Sequence, residues 1–154
     1  MLDKNKWNQY GFQRNQNEIL GITLHETGNY KMDALELEEW LNNSNRDSNG
    51  CHYICDCERT VQVMPDDWAV YHTGKALDWG NCYTIAIEIA SYLSDEKYQM
   101  AQDRAVALIK ELQKTYDISN DMIFFHNSFD SRMYCPKTIL DRYKSVKRFV
   151  MEEL

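Results

Sequence analysis

Tyr83-Thr84-Ile85-Ala86-Ile87-Glu88-Ile89-Ala90 is an apolar run that carries a single charged residue. Its composition predicts a β-strand, in which side chains alternate between the two faces of a sheet. Glu88 therefore lies on the face opposite that of Ile87 and Ile89. A carboxylate in so apolar a strand is desolvated, paired or functional. Two interpretations stay open at this point: a general base whose pKa is raised by desolvation, or a carboxylate on a solvated face.

Strand-like and helical segments lie on both sides of this run. Further strands are predicted at about 19–25, 52–55, 60–64 and 122–125, the middle two forming a hairpin. Helices are predicted over 33–41 and 95–116, and a closing helix begins near Pro136. Loops are predicted at 42–50 and 68–74. Because strands and helices are mixed and a hairpin lies among them, we expect an α/β fold with a central mixed β-sheet flanked by α-helices.

The bulk composition limits the possible classes of protein. A chain of 154 residues fits one domain, 1–154, that is large enough to bury a core. The net charge of −7 argues against a nucleic-acid partner, because phosphate binding relies on clustered Lys and Arg. No apolar run is long enough for membrane insertion, and residues 1–7 lack the apolar core of a signal peptide. We expect a monomer that is made in the cytoplasm without a signal peptide.

Five scattered cysteines indicate synthesis in a reducing compartment rather than a disulfide scaffold. Cys55-Asp56-Cys57 does not have the usual C-x₂-C spacing of a zinc knuckle, and no second pair follows it. Buried free thiols on a strand are the better interpretation of that pair.

A different cysteine has the spacing of a metal ligand. His126 lies nine positions before Cys135 and directly after the apolar run 122–125. A loop of this length can fold back so that both side chains meet one ion, and zinc accepts imidazole nitrogen together with thiolate sulfur. His25 ends another short apolar run and is a candidate third ligand. Surface histidines and a buried thiol remain the alternative at this point.

Trp68-Ala69-Val70-Tyr71-His72-Thr73-Gly74 combines aromatic residues, a histidine and a glycine. Aromatic and polar groups together suit a groove for a sugar or a peptide. A surface loop with incidental aromatic residues explains the composition equally well.

Taken in order, these pieces resemble the zinc-dependent N-acetylmuramoyl-L-alanine amidases, which include phage endolysin and bacterial autolysin domains and are related to the peptidoglycan recognition proteins. The resemblance runs from about 22 to 140. It rests on five motifs in register: Thr23-Leu24-His25-Glu26-Thr27, His52-Tyr53 with Val61-Gln62-Val63-Met64-Pro65, Ala69-Val70-Tyr71-His72-Thr73-Gly74, Asn81 with Thr84-Ile85-Ala86-Ile87-Glu88-Ile89, and Phe125-His126 with Ser131 and Cys135-Pro136.

The resemblance implies a role for each of several residues. It gives the zinc ligands as His25, His126 and Cys135, and the general base as Glu88. It implies that the substrate groove is lined by His72, Tyr71 and His52.

Besides the substitutions at Thr84 and Ala86, two departures from the family pattern bear on catalysis. Many relatives carry a lysine two positions before the cysteine ligand, where this chain has Met133, so the candidate for stabilising the oxyanion is Arg132. Some relatives carry a tyrosine immediately before the position of His52, where this chain has Cys51, which leaves more of the catalytic work to Glu88.

The expected activity is hydrolysis of the amide between N-acetylmuramic acid and L-alanine in peptidoglycan, with Zn²⁺ as cofactor. Two alternatives stay open: a module that binds muropeptides without cutting them, and a zinc peptidase that cuts within the stem peptide. The chain is expected to be either a whole small amidase or the catalytic domain of a longer endolysin.

Overall fold

The computed structural model describes residues 1–44, 49–74 and 77–154. Within these residues the strands are Gly11–Gln13 (β1), Gly21–Glu26 (β2), Tyr53–Cys55 (β3), Thr60–Gln62 (β4), Trp68–Val70 (β5), Thr84–Ile89 (β6) and Ile123–Phe125 (β7). The α-helices are Trp7–Tyr10 (α1), Ala34–Asn43 (α2), Trp79–Tyr83 (α3), Asp95–Tyr116 (α4), Lys137–Tyr143 (α5) and Val146–Glu153 (α6). Part of the predicted loop at 42–50, residues 45–48, lies outside the described residues.

The central sheet has the strand order β4-β3-β6-β2-β7 over the described residues. β3, β6, β2 and β7 run parallel to their neighbours, whereas β4 pairs antiparallel with β3 in the predicted hairpin. The parallel strands all end at one edge of the sheet. In open α/β sheets this carboxyl edge is where ligands bind.

The two faces of the sheet pack against different layers. On one face, Ile22 and Leu24 of β2 and the isoleucines of β6 join a core with α4, α5 and α6. On the other face, Ala86 joins a second core with residues of α2 and β5. This alternation follows from the period-2 pattern of a strand. The predicted fold class, a central mixed β-sheet flanked by α-helices, is confirmed.

Several short elements were not predicted from the sequence. β1 and β5 form a two-stranded antiparallel sheet within the described residues, so the segment 68–74 is not all loop. A Cβ added to Gly11 would lie 1.8 Å from the Ala69 carbonyl oxygen, so glycine permits the close approach of these strands. The helix α3 was not predicted either, because its five residues are too few to show helical periodicity.

The closing helix is also divided. α5 ends at Tyr143 and is capped by Lys144, whose φ of 66° places it in the left-handed region. Ser145 then caps α6 by accepting from Arg148 N. None of the described helices is both long enough and apolar enough to cross a membrane.

Candidate active site

The carboxyl edge of the sheet brings three of the predicted site residues together. In the parallel register of β2 and β6, His25 lies beside Glu88. In the register of β2 and β7, Leu24 lies beside Phe125, so that His126 follows at the level of His25. The ring centroids of His25 and His126 are 4.7 Å apart. Strand order and register alone thus place two imidazoles and a carboxylate at one edge.

The loop after β7 returns Cys135 to the same place. Ligand atoms of His25, His126 and Cys135 all lie within 4.8 Å of one another. A tetrahedral zinc ion separates its nitrogen and sulfur ligands by roughly 3.5 Å, so small side-chain adjustments would allow all three to bind one ion. The donor set of two imidazoles and one thiol suits zinc, and three protein ligands leave a fourth position for water or substrate.

Burial keeps these groups uncharged in the metal-free protein. Burial, followed by the neighbouring His72 and His126, lowers the pKa of His25 well below its usual value. Burial also lowers the pKa of His126. For Cys135, burial and then the charge of Glu88 raise the thiol pKa to about 12. The imidazoles are therefore ready to bind a cation, and the thiol would release its proton on binding one.

Glu88 has an unsatisfied acceptor. Its Oε2 atom is fully buried and has no hydrogen-bond partner, although the residue as a whole keeps some exposure. Burial, followed by the charge of Glu26, raises the Glu88 pKa to about 8. Glu88 also borders a cavity of about 170 Å³, lined by Thr27, Leu37, Trp40, Leu41, Asn49, Gly50 and Cys51. A buried acceptor without a partner beside a cavity is the arrangement expected of a general base.

Glu26 attaches the cysteine loop to β2. Its backbone N–H donates to Cys135 Sγ at 3.4 Å. Its carboxylate accepts from the backbone N of Thr138 at 2.7 Å and from the Thr138 hydroxyl at 2.9 Å, at the start of α5. The hydroxyls of Ser91 and Tyr98 donate to the same carboxylate at 3.1 and 3.4 Å. No role was predicted for Glu26 from the sequence, where its position next to His25 is the one signal that points to it.

His72 lies against His25 rather than in an open groove. It is 2% exposed, and its Nδ1 is 2.9 Å from His25 Nε2. Its Nε2 is 3.3 Å from Thr84 Oγ1. Because its ring is enclosed by protein atoms, the expected lining of a substrate groove by His72 is not what the structure gives.

His52 and Tyr71, the other two predicted substrate contacts, do not join the metal ligands. His52 is fully buried, where its Nδ1 accepts from Ala86 N at 2.9 Å and its Nε2 lies 2.7 Å from the Trp68 carbonyl oxygen. These bonds tie β5 to the central sheet, so His52 has a structural role instead. Tyr71 is half-buried, and its ring packs against Phe12 with centroids 6.1 Å apart.

Arg132 is paired with Asp130 on the surface of the loop. Its side chain is 84% exposed, and its Nε and Nη2 donate to the two carboxylate oxygens of Asp130 at 2.9 and 2.7 Å. This bidentate pairing with the carboxylate of Asp130 holds the guanidinium of Arg132 within the loop. The geometry therefore gives no support to the expected oxyanion role of Arg132.

We expect Arg132→Ala to change kcat on peptidoglycan by less than about threefold, because its guanidinium is exposed to solvent and already paired with Asp130. Steady-state turnover of the purified variant measures this effect. Loss of kcat by 100-fold or more with bound metal unchanged would return Arg132 to the catalytic set. Lys137→Ala, which breaks an exposed pair with Asp141, is the matched control.

Two histidines, a cysteine and a half-buried glutamate at the carboxyl edge of a mixed sheet define a hydrolase with a candidate metal centre. The family model described as N-acetylmuramoyl-L-alanine amidase matches residues 15–138, and the chain belongs to this family. It is therefore an amidase of the N-acetylmuramoyl-L-alanine class that acts on peptidoglycan. No curated protein matches the chain.

Several solved structures resemble the chain over most of its length. The structure of PlyL has a TM-score of 0.85 and 22% identity, covering 97% of this chain and 92% of that chain. The catalytic domain of XlyA has a TM-score of 0.80 and 27% identity, covering 92% of each chain. A mutant endolysin from Bacillus subtilis has a TM-score of 0.83 and 26% identity, covering 97% of this chain and 95% of that chain.

Proposed function

We propose that the chain hydrolyses the amide between the lactyl group of N-acetylmuramic acid and L-alanine, with Zn²⁺ held by His25, His126 and Cys135. The observation that carries the proposal is the meeting of this ligand trio with the unpartnered Glu88 Oε2 at one sheet edge. Bound zinc would supply Lewis acidity, lowering the pKa of a nearby water and polarising the scissile carbonyl.

Glu88 performs the proton transfers in this proposal. Its Oε2 accepts a proton from the attacking water as the water oxygen bonds to the carbonyl carbon. The same carboxyl group then gives that proton to the amine nitrogen as the carbon–nitrogen bond breaks. The products are the lactyl carboxylate of the glycan strand and a stem peptide with a free L-alanine amino group. The raised pKa of Glu88, about 8, suits a group that must both accept and return a proton near neutral pH.

The surroundings of Glu88 support this role. Leu37 and Leu41 of α2 and the thiol of Cys51 give its cavity a mostly apolar wall. A low-dielectric wall strengthens the interaction of a carboxylate with a proton on an incoming water. Glu26 lies close enough to Glu88 to raise its pKa further, while its own carboxylate is bound by four donors.

The experiment is digestion of purified peptidoglycan by the zinc-loaded protein, followed by mass spectrometry and labelling of new amino termini. We expect whole stem peptides that begin with free L-alanine, and glycan strands that keep an intact lactyl group. Release of single amino acids or dipeptides would instead establish a peptidase. Muropeptide binding without turnover, by protein that contains one zinc per chain, would establish a binding module.

A further inference from the structure

The segment His72–Thr73 is held beside the candidate metal centre by hydrogen bonds to one buried side chain, that of Asn81. Oδ1 of Asn81, a fully buried residue of α3, accepts from His72 N at 2.7 Å and from Thr73 N at 3.0 Å. Asp78 also joins Asn81 to Thr73, because its carboxylate accepts from Asn81 N at 2.9 Å and from the Thr73 hydroxyl at 2.5 Å. The backbone of the segment therefore has little freedom to move relative to α3.

A chain of hydrogen bonds then assigns the protons of two histidine rings. The hydroxyl of Thr84 lies 2.8 Å from the Gly80 carbonyl oxygen, its one neighbour among these contacts that can only accept, and we assign its single proton to that bond. The contact of 3.3 Å between Thr84 Oγ1 and His72 Nε2 then requires the proton to lie on His72 Nε2. The neighbouring Thr23 hydroxyl, 2.8 Å from Thr84 Oγ1, likewise acts as a donor to it.

This assignment determines which nitrogen of His25 is available to a metal. Neutral His72 with its proton on Nε2 offers a lone pair on Nδ1. His25 Nε2, 2.9 Å away, must then carry the proton of that hydrogen bond. The remaining lone pair of His25 lies on Nδ1. The hydrogen bond to His72 thus selects one tautomer of His25 before any ion binds.

The segment His72–Thr73 also lies next to the second histidine ligand, His126. The backbone of Thr73 lies next to the ring of His126, close enough to favour its protonated form, although burial has the larger effect and lowers the pKa. A ring nitrogen of His126 that faces this backbone leaves the opposite nitrogen for a cation. One segment of two residues therefore contacts both imidazole ligands from outside the centre.

From this geometry we infer that His72–Thr73, held by Asn81, positions both histidine ligands, and that His72 selects the metal-binding tautomer of His25. The inference rests on the proposed zinc site and goes beyond it, because it assigns His72 a role as a positioning residue rather than a substrate contact. Metal ligands with such partners bind more tightly, and loss of a partner typically costs about 10- to 100-fold in metal affinity.

The test compares His72→Leu with His72→Asn in the full chain. Leucine offers no acceptor, whereas the asparagine side-chain oxygen takes the place of Nδ1. We expect His72→Leu to weaken zinc binding by about 10- to 100-fold in competition with a chelator, and His72→Asn to restore most of that loss. The absorption spectrum of the Co²⁺-loaded protein should change in His72→Leu and return toward wild type in His72→Asn. Equal zinc affinity in wild type and folded His72→Leu would overturn the inference.

A second measurement needs no variant. Long-range ¹H–¹⁵N NMR spectra of the metal-free wild type report the tautomer of each histidine ring. Protons on Nε2 of both His25 and His72 are expected, and a proton on Nδ1 of His25 would overturn the inference even if His72→Leu failed to fold. Wild-type protein that binds no zinc at all would instead contradict the proposed function. The two failures are therefore distinguishable.

Discussion

Glu88→Gln is expected to lower kcat on peptidoglycan by about 10²- to 10⁴-fold, the usual contribution of a general acid–base group. The glutamine amide matches the carboxyl group in size but cannot take a proton from water and return it to an amine. The Glu88 Oε2 atom has no partner in the protein, so the exchange disrupts no hydrogen bond there. Turnover of purified peptidoglycan and zinc per chain are the two quantities to measure together.

A control variant and the zinc measurement together distinguish the loss of a base from the loss of the metal. Glu111→Gln makes the same chemical change at an exposed position of α4 and should leave kcat unchanged. Full activity of zinc-loaded Glu88→Gln would contradict the base assignment. Loss of both zinc and activity would show instead that Glu88 supports the metal centre.

Glu88→Gln should also change how the stability of the metal-free protein depends on pH. Burial raises the folded-state pKa of Glu88 to about 8, above an unfolded value of about 4.3. Its contribution to stability is then fully present below about pH 4 and is lost as pH rises through 8. The variant should therefore match wild type near pH 4 and be more stable at pH 9, by up to about 5 kcal/mol at 1.36 kcal/mol per pKa unit. Urea unfolding at several pH values measures the free energy of unfolding of both proteins. If the difference between variant and wild type did not change with pH, the raised pKa of Glu88 would be contradicted.

Sequence patterns that depend on strand ends and alternation predicted the centre of this site. His25 and His126 each end an apolar run, and parallel strands bring their carboxyl ends to one edge. Glu88 was singled out because a charge inside an isoleucine-rich strand must be desolvated or used. The register between β2 and β6 then places it beside His25. These features are local in sequence or follow from the topology of a parallel sheet.

What the sequence could not supply depends on contacts between distant short segments. β1 and β5 have three residues each and are stabilised by pairing across more than fifty positions, so neither shows a periodic pattern. The burial of His72 and its bond to His25 depend on how α3 packs, and motif matching instead suggested a substrate contact. Arg132 was chosen for its charge, but Asp130, two positions earlier, holds its guanidinium.

Cys135→Ser should reduce zinc affinity by more than about 100-fold, exceeding the usual cost of losing an outer partner of a metal ligand. Sulfur as a thiolate neutralises part of the zinc charge, whereas a serine hydroxyl stays protonated and is a poor ligand at neutral pH. Metal analysis after dialysis gives the stoichiometry, and chelator competition gives the affinity. Activity should fall in parallel and recover only at high added zinc.

Cys82→Ser is the matched control, because its thiol also lies part-exposed but on α3, outside the ligand trio. It should bind one zinc per chain with wild-type affinity. Folding must be unchanged for the comparison to hold, and it is expected to be, since Cys135 Sγ in the metal-free protein has only weak contacts with the Glu26 backbone at 3.4 and 4.0 Å. If Cys135→Ser kept zinc as tightly as Cys82→Ser, the cysteine would not be a ligand, and the two histidines would need another partner from the same edge of the sheet.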